Sequence, residues 1–185
     1  MRRLRLLVLT LAAALLLGGC GFHLAGNRPL SAELEKVYID TITPYRVSEP
    51  PVETTLRAIL QRRGAQIAQS GGNGATTIRL SELKESREPL SIGTDGKAIE
   101  FRLITRVHYE VFRGETVLVT PGDLVATRDY SFVPEQVLAK EAEETRLREF
   151  IQSELAELLM LRIDAALTYH TTAAPAAPKD AAPAP

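Results

Sequence analysis

The sequence has no tryptophan, one cysteine and only three histidines among its 185 residues. A single cysteine has no partner within the chain, so no internal disulfide forms and stability has to come from packing. The histidines, which are His23, His108 and His170, show none of the spacings typical of metal ligands, and this disfavours a metal site. The Gly-x-Ser-x-Gly elbow of common hydrolases is also missing. The sequence therefore predicts no enzyme, although a triad assembled from distant residues stays open.

Neither sign of charge dominates the chain, whose formal net charge is −1. Three of the 22 basic residues, Arg2, Arg3 and Arg5, lie in an N-terminal segment that we expect to be removed, which leaves 19 against 23 acidic residues. A mildly acidic domain does not attract nucleic acid or an anionic bilayer through its overall field. Nucleic acid is therefore not a predicted partner.

The first 20 residues have the composition of an export signal, MRRLRLLVLTLAAALLLGGC. Three arginines are followed by an apolar run from Leu6 to Leu17 and then by small residues. The run is shorter than the ~20 residues that a transmembrane helix needs, and it lacks the polar face of a core helix. We therefore predict that residues 1–19 are a signal peptide.

The end of this segment, Leu17-Gly18-Gly19-Cys20, resembles the lipobox of bacterial lipoproteins. The resemblance implies cleavage before Cys20, an S-diacylglycerol on its sulfur, an N-acyl group on its amine, and no other cofactor. Two or three acyl chains hold a protein on a membrane, whereas one chain is marginal. The alternative is a leftover free thiol. In a host with two membranes, Gly21 in place of an aspartate implies delivery to the outer membrane.

The rest of the chain is predicted to form one α+β domain over residues 34–170, between a tether at 20–33 and a disordered, Ala/Pro-rich tail at 171–185. Hydrophobic periodicity and turn residues predict the order strand, helix, strand, strand, strand, helix. We place these elements at residues 36–40, 50–64, 76–84, 99–111, 116–132 and 135–169. A turn region is predicted at 88–96, and Pro121-Gly122 is predicted to interrupt the fourth strand.

This order predicts a four-stranded mixed sheet with two helices packed on one face, because a right-handed crossover puts the first helix where the second also packs. Along the third strand, apolar residues occupy the odd positions from Ile99 to Val111. The even positions would form a polar face that meets water or a polar partner. They include Arg102, Arg106, His108 and Glu110.

Two stretches resemble the LPS-assembly lipoprotein family LptE. The predicted mature chain begins Cys20-Gly-Phe-His-Leu, as family members begin with Cys-Gly, an aromatic residue and His-Leu. Tyr130, followed by Leu138-Ala139-Lys140 and Glu143, is similar to the family's entry into its last helix. The order of elements is also similar over most of residues 20–165.

The resemblance implies that the protein plugs the lumen of the outer-membrane β-barrel LptD, stabilises it and assists lipopolysaccharide delivery to the outer leaflet. A barrel lumen is polar, so Arg102, Arg106, His108 and Glu110 become candidate barrel contacts. Lys140 is the first candidate for a lipopolysaccharide phosphate, and an ordinary solvated lysine is the alternative. Family members often carry a second basic residue before the longest strand. Here Thr94-Asp95-Gly96 takes that place, and Lys97 just beyond it is the second candidate.

Two other functions stay open. One is an accessory or pilot lipoprotein of another envelope secretion machine, which an identified partner would distinguish. The other is a membrane-tethered hydrolase, for which the sequence offers no nucleophile that stands out.

Overall fold

A computed structural model describes residues 30–43, 47–72, 74–132 and 137–172, excluding the side chains of 137, 138 and 169–172. The predicted signal peptide, Cys20, His23, most of the predicted tether and the tail beyond Thr172 lie outside the described residues. The side chains of Leu138 and His170 do so as well. No helix within the described ranges is long and apolar enough to cross a bilayer.

The described chain forms a mixed sheet of five strands. They are β1 (Lys36–Thr41), β2 (Gln66–Ile67), β3 (Thr76–Ile92), β4 (Ala98–Arg113) and β5 (Thr116–Ser131). Their order across the sheet is β2-β1-β3-β4-β5. β1 pairs in parallel with β2 and β3, and β3, β4 and β5 pair antiparallel. The prediction of four strands was wrong by one, because a two-residue strand is too short to show a hydrophobic period.

Two helices complete the fold, α1 (Pro51–Arg62) and α2 (Val137–Thr172). Proline fits at the first position of α1, because the backbone amide there has no hydrogen-bond acceptor within the helix. Gly64 follows the helix with a φ of 95°, a left-handed conformation that glycine adopts without strain. Arg63 joins the helices through an ion pair with Asp164, 2.6 Å from Nη1 to Oδ2. α2 continues two residues into the segment predicted as a tail.

Both helices cover the same face of the sheet, as predicted. Five odd-numbered side chains of β4, from Leu103 to Val111, are buried. Buried residues of α2 belong to the same cluster, among them Ile151, Leu155, Leu159 and Ile163. Ile99 also has an odd number but is 40% exposed, because it lies near the end of the sheet.

β3 is longer than the sequence predicted. The expected turn region at 88–96 is strand as far as Ile92, and only residues 93–97 form the turn. Pro89 fits in this strand because β1 pairs only with residues 76–80, so the distal part of β3 is a sheet edge that needs no donor there. The hairpin therefore projects past β1.

Pro121 does not interrupt β5, contrary to expectation. The strand runs through residues 116–131 with a register shift opposite Tyr109 and Val111, which absorbs Pro121 as a bulge. β5 is an edge strand, so the missing amide hydrogen costs no ladder bond. A Cβ on Gly122 would lie 3.3 Å from the Tyr109 hydroxyl, so a small residue is needed there.

The elongated sheet has two distinct ends. At the proximal end, Arg113 is the last residue of β4, and its Nη2 donates a hydrogen bond to the Glu33 carbonyl, 2.5 Å away. At the distal end, the amide of Phe132 donates to the Ile99 carbonyl over 2.8 Å, next to the β3–β4 turn. β4 has 16 residues, so the ends lie roughly 50 Å apart at about 3.3 Å per residue.

Candidate functional site

The sheet face opposite the helices, which we call the open face, carries the polar residues predicted from β4. Arg102 makes a two-pronged ion pair with Asp129 of β5, with both nitrogen–oxygen distances at 2.8 Å. His108 Nδ1 lies 2.8 Å from Asp123 Oδ1. Both pairs join residues that are direct neighbours across the β4–β5 ladder. Charges on this face therefore neutralise each other across strands.

A third group of charges spans three strands at the proximal half of the open face. Arg79 Nε donates to Asp40 over 2.9 Å, and its Nη1 lies 3.3 Å from Glu110. The same guanidinium lies 5.0 Å from the centroid of the Phe112 ring. The pKa of Arg79 is raised, mainly by the hydrogen bond to Asp40. Its side chain is 36% exposed, so it remains near water.

Arg106 differs from the other predicted barrel contacts. It is exposed, and across the described chain its side chain has no hydrogen bond or ion pair. Its neighbours in the ladders are Lys84 of β3 and Val125 of β5. The structure thus places all four predicted contacts on the open face but leaves only Arg106 with its charge unmatched. Exposed ion pairs contribute about 0–1 kcal/mol each, so the matched pairs set the surface charge more than they stabilise the fold.

A second polar cluster lies on the helix side near the distal end and centres on Glu144 of α2. Its carboxylate accepts hydrogen bonds from the Tyr130 hydroxyl, from Arg87 of β3 at 2.9 Å and from Arg148 at 2.6 Å. Arg148 also lies 3.4 Å from Glu85 of β3. The Glu144 side chain is 17% exposed. The cluster thus ties the projecting part of β3 to β5 and α2.

Aromatic rings extend this cluster towards the distal end. The Phe101 ring stacks on Tyr130 and meets Phe132 edge to face, with both centroid distances at 5.8 Å. The Arg87 guanidinium lies 4.5 Å from the centroid of Phe101. Arg87 and Glu144 were not among the site residues predicted from the sequence. The one local signal was the helical spacing of Glu144 and Arg148, which predicts an i, i+4 ion pair.

The electrostatics of the cluster favour a charged Glu144. Burial by itself raises the pKa of this carboxyl group, but the hydrogen bonds from Tyr130, Arg148 and Arg87 outweigh burial and hold its pKa below the ordinary value. The pKa of Tyr130 is raised by burial and by its hydrogen bond to Glu144. Tyr130 therefore stays a neutral donor, and Glu144 stays an acceptor.

We predict that Glu144→Gln lowers the free energy of unfolding by about 1–3 kcal/mol at neutral pH, because charge-assisted hydrogen bonds are lost in a partly buried site. A carboxylate with a lowered folded pKa stabilises the protein above its unfolded pKa, about 4.3, and that contribution disappears as pH falls through the folded pKa. Urea unfolding from pH 7 down to pH 3 should therefore show the two proteins converging. A constant difference across that range would contradict the prediction.

The lipopolysaccharide candidates lie at the same end of the domain but in different surroundings. Lys140, in the first turns of α2, pairs with Glu143 at 2.7 Å, and its side chain is only 16% exposed. Its side chain is less exposed than an ordinary solvated lysine, because the motif's lysine and glutamate meet one helical turn apart. Lys97, in the β3–β4 turn, is 70% exposed and lies 3.5 Å from Asp95. Both lysines thus have an acidic neighbour.

Within the described part of the chain, no group of three or more His, Cys, Asp or Glu side chains is arranged to hold a metal ion. His108 faces Asp123, while His23 and the side chain of His170 lie outside the described residues.

Comparisons with known proteins agree with this architecture. The family model described as "LptE: Lipopolysaccharide-assembly" matches residues 34–163. An LPS-assembly lipoprotein LptE from Photorhabdus laumondii is 30% identical over 169 residues, covering 91% of this chain and 88% of that protein. The LptE of Yersinia pestis is 30% identical over 171 residues, with 91% and 78% covered.

Solved structures share the fold. A lipoprotein B from Nitrosomonas europaea superimposes with a TM-score of 0.59 at 23% identity, covering 81% of this chain and 96% of that one. A minor lipoprotein from Acinetobacter baumannii has a TM-score of 0.58 at 22% identity, with 71% and 92% covered. Together with the family match, these findings show that the chain belongs to the LptE family of non-enzymatic lipopolysaccharide-assembly lipoproteins.

Proposed function

We propose that this protein is an outer-membrane lipoprotein, anchored through Cys20, that plugs and stabilises an LptD β-barrel and binds lipopolysaccharide during its assembly at the outer leaflet. The observation that supports this most is the family match over residues 34–163. Relatives named LPS-assembly lipoprotein LptE match this chain over most of their own length. The domain would then face the periplasm and enter the barrel lumen.

The open face has the chemistry that a plug needs. A barrel lumen is polar and hydrated. The surface of a plug should therefore carry charged side chains whose positive and negative charges roughly balance. The cross-strand pairs Arg102–Asp129 and His108–Asp123 provide such a surface. Arg106, which has no charge partner among the described residues, would pair with an acidic side chain of the barrel wall.

The barrel contact is tested with a photo-crosslinking amino acid in place of Arg106 in living cells. We expect it to capture a large outer-membrane barrel, identified by mass spectrometry. The same residue at Val47, which is 98% exposed and lies before α1 rather than on the open face, is the matched control and should capture less. Capture of a secretion-system component would favour the pilot alternative, and capture of no barrel protein would remove the plug proposal.

Lipopolysaccharide binding is tested by Lys140→Glu. We expect weaker binding of purified lipopolysaccharide to the purified lipoprotein, because the phosphate loses its cation and meets an added carboxylate beside Glu143. A like-charged pair at this spacing costs about 0.2–0.5 kcal/mol on an exposed helix, and the low exposure of Lys140 adds a burial cost, so urea unfolding is used to check that the variant keeps its fold. Lys84→Glu is the control, because Lys84 undergoes the same charge change on the open face, where it is 71% exposed. Unchanged binding would exclude Lys140, and the same comparison with Lys97→Glu tests the second candidate.

A further inference from the structure

A small pocket opens on the open face at the proximal end, beside the β4–β5 turn. Its volume is about 250 Å³, and its apolar wall is formed by Phe112, Val117 and Pro121. Val117 is 61% exposed although it is aliphatic and lies in a strand. The volume is below the range of about 300–1,000 Å³ found for pockets that bind drug-sized ligands. The pocket therefore suits one or two apolar side chains rather than a free ligand.

We propose that this pocket binds the N-terminal segment of the same chain through Phe22 and Leu24. Cleavage and lipidation account for Cys20, but they leave the motif Phe22-His23-Leu24 without a role. An aromatic and an aliphatic side chain two residues apart match the apolar wall. This inference does not depend on a barrel partner or on lipopolysaccharide.

The residues that follow this segment lie at the proximal end of the sheet, close to the pocket. Glu33 accepts hydrogen bonds through its carbonyl from Arg113 and Thr76, and Arg113 directly precedes Gly114, which lines the pocket. Phe22 lies eight residues before Leu30. Eight residues span up to about 26–29 Å when extended, which is enough to pass the end of the sheet and reach its open face.

Charge also matches between segment and pocket. Residues 20–29 contain Arg28 and His23 but no acidic residue. The rim of the pocket carries Glu110 and Glu115 against a single cation, Arg79, which is itself shared with Asp40. A basic segment is therefore attracted to the rim while its apolar side chains enter the pocket.

Docking of the N-terminal segment in this pocket would fix the orientation of the domain relative to the membrane. Cys20 is two residues from Phe22, so the acylated residue would be held within about 7 Å of chain from the pocket. The proximal end would then face the bilayer, and the distal end would point away from it. The segment would act as a clamp that orients the domain rather than as a free tether.

Cysteine pairs test the proposal in the full mature lipoprotein, which offers no other thiol once Cys20 is acylated. His23→Cys keeps both apolar side chains, and a disulfide needs Cα atoms within about 7 Å. With Val117→Cys, we expect mild oxidation of membranes to form an intrachain disulfide, seen as a mobility shift and by mass spectrometry. With Val125→Cys, which is also exposed but eight residues further along β5, we expect several-fold slower closure.

Adding Phe22→Ser and Leu24→Ser to the first pair should reduce its closure rate to that of the control pair. In a single Val117→Cys protein, the same serines should speed maleimide labelling of the cysteine several-fold. Equal closure of the two pairs, closure that ignores the serines, or a disulfide from Val117→Cys to another protein would each overturn the proposal.

Discussion

Leu159→Ala is expected to lower the free energy of unfolding by about 2–5 kcal/mol, the range for truncating a fully buried leucine. Leu159 is completely buried between the sheet and the helices. Its removal loses apolar burial and leaves a cavity that the surrounding side chains fill only in part. Since domains of this size are stable by about 5–15 kcal/mol, the variant should lose a large share of its stability.

Leu161→Ala is the matched control for this prediction. Leu161 lies two residues further along α2, is 66% exposed, and undergoes the same change of side chain. It should alter stability by no more than about 0.5 kcal/mol. Urea unfolding of the purified mature protein measures both values. Similar losses for the two variants would contradict the packing of α2 against the sheet.

Cys20→Ala is expected to abolish lipid anchoring. Each buried methylene of an acyl chain contributes about 0.8 kcal/mol, so losing two or three chains removes essentially all of the anchoring free energy. The variant should carry no acyl mass, and its share in the membrane fraction should fall to what the proposed barrel contact retains.

Membrane fractionation and the intact mass of the mature chain measure this result. Asn27→Ala, within the same segment but outside the lipobox, should leave acylation and fractionation unchanged. A mature wild-type chain that carries an unmodified thiol, or one that keeps its leader, would contradict the lipoprotein prediction. The proposed outer-membrane function would then lose its anchor as well.

The proposed lipopolysaccharide contacts and the proposed binding site for the N-terminal segment lie at opposite ends of the domain. Lys140, Lys97 and the Glu144 cluster lie at the distal end, while the pocket for the N-terminal segment lies at the proximal end. The open face joins the two over roughly 50 Å, the length of a 16-residue strand. A domain oriented by its proximal end would therefore present its lysines to lipopolysaccharide away from the anchoring leaflet.

Local patterns in the sequence predicted most of the elements correctly. The alternation along β4 identified its buried and polar faces, because side chains of a strand point to opposite sides in turn. Proline at the start and Gly64 at the end delimited α1, since both act within one helical turn. The family resemblance came from two short stretches. The family match over residues 34–163 confirmed the family.

Errors occurred where a residue's role depended on distant parts of the chain. Pro89 and Pro121 were interpreted as breaks because proline cannot donate to a ladder. Both lie on sheet edges, and which strands become edges depends on strand order. The ion pair between Lys140 and Glu143 was not predicted either, because spacing alone does not show which rotamers meet.

The sequence by itself determined the alternation of faces, the helices and the family, since each depends on residues that are close along the chain. The export signal stays a prediction, because it lies outside the described residues. Only the tertiary structure decided which charges neutralise each other. Arg102 meets Asp129, 27 residues away, and Arg87 meets Glu144, 57 residues away. Strand register and helix packing bring those groups within 3 Å, and neither can be read from composition or period. That is why only the folded structure shows that, among the four predicted barrel contacts, Arg106 is the one without a charge partner in the described residues.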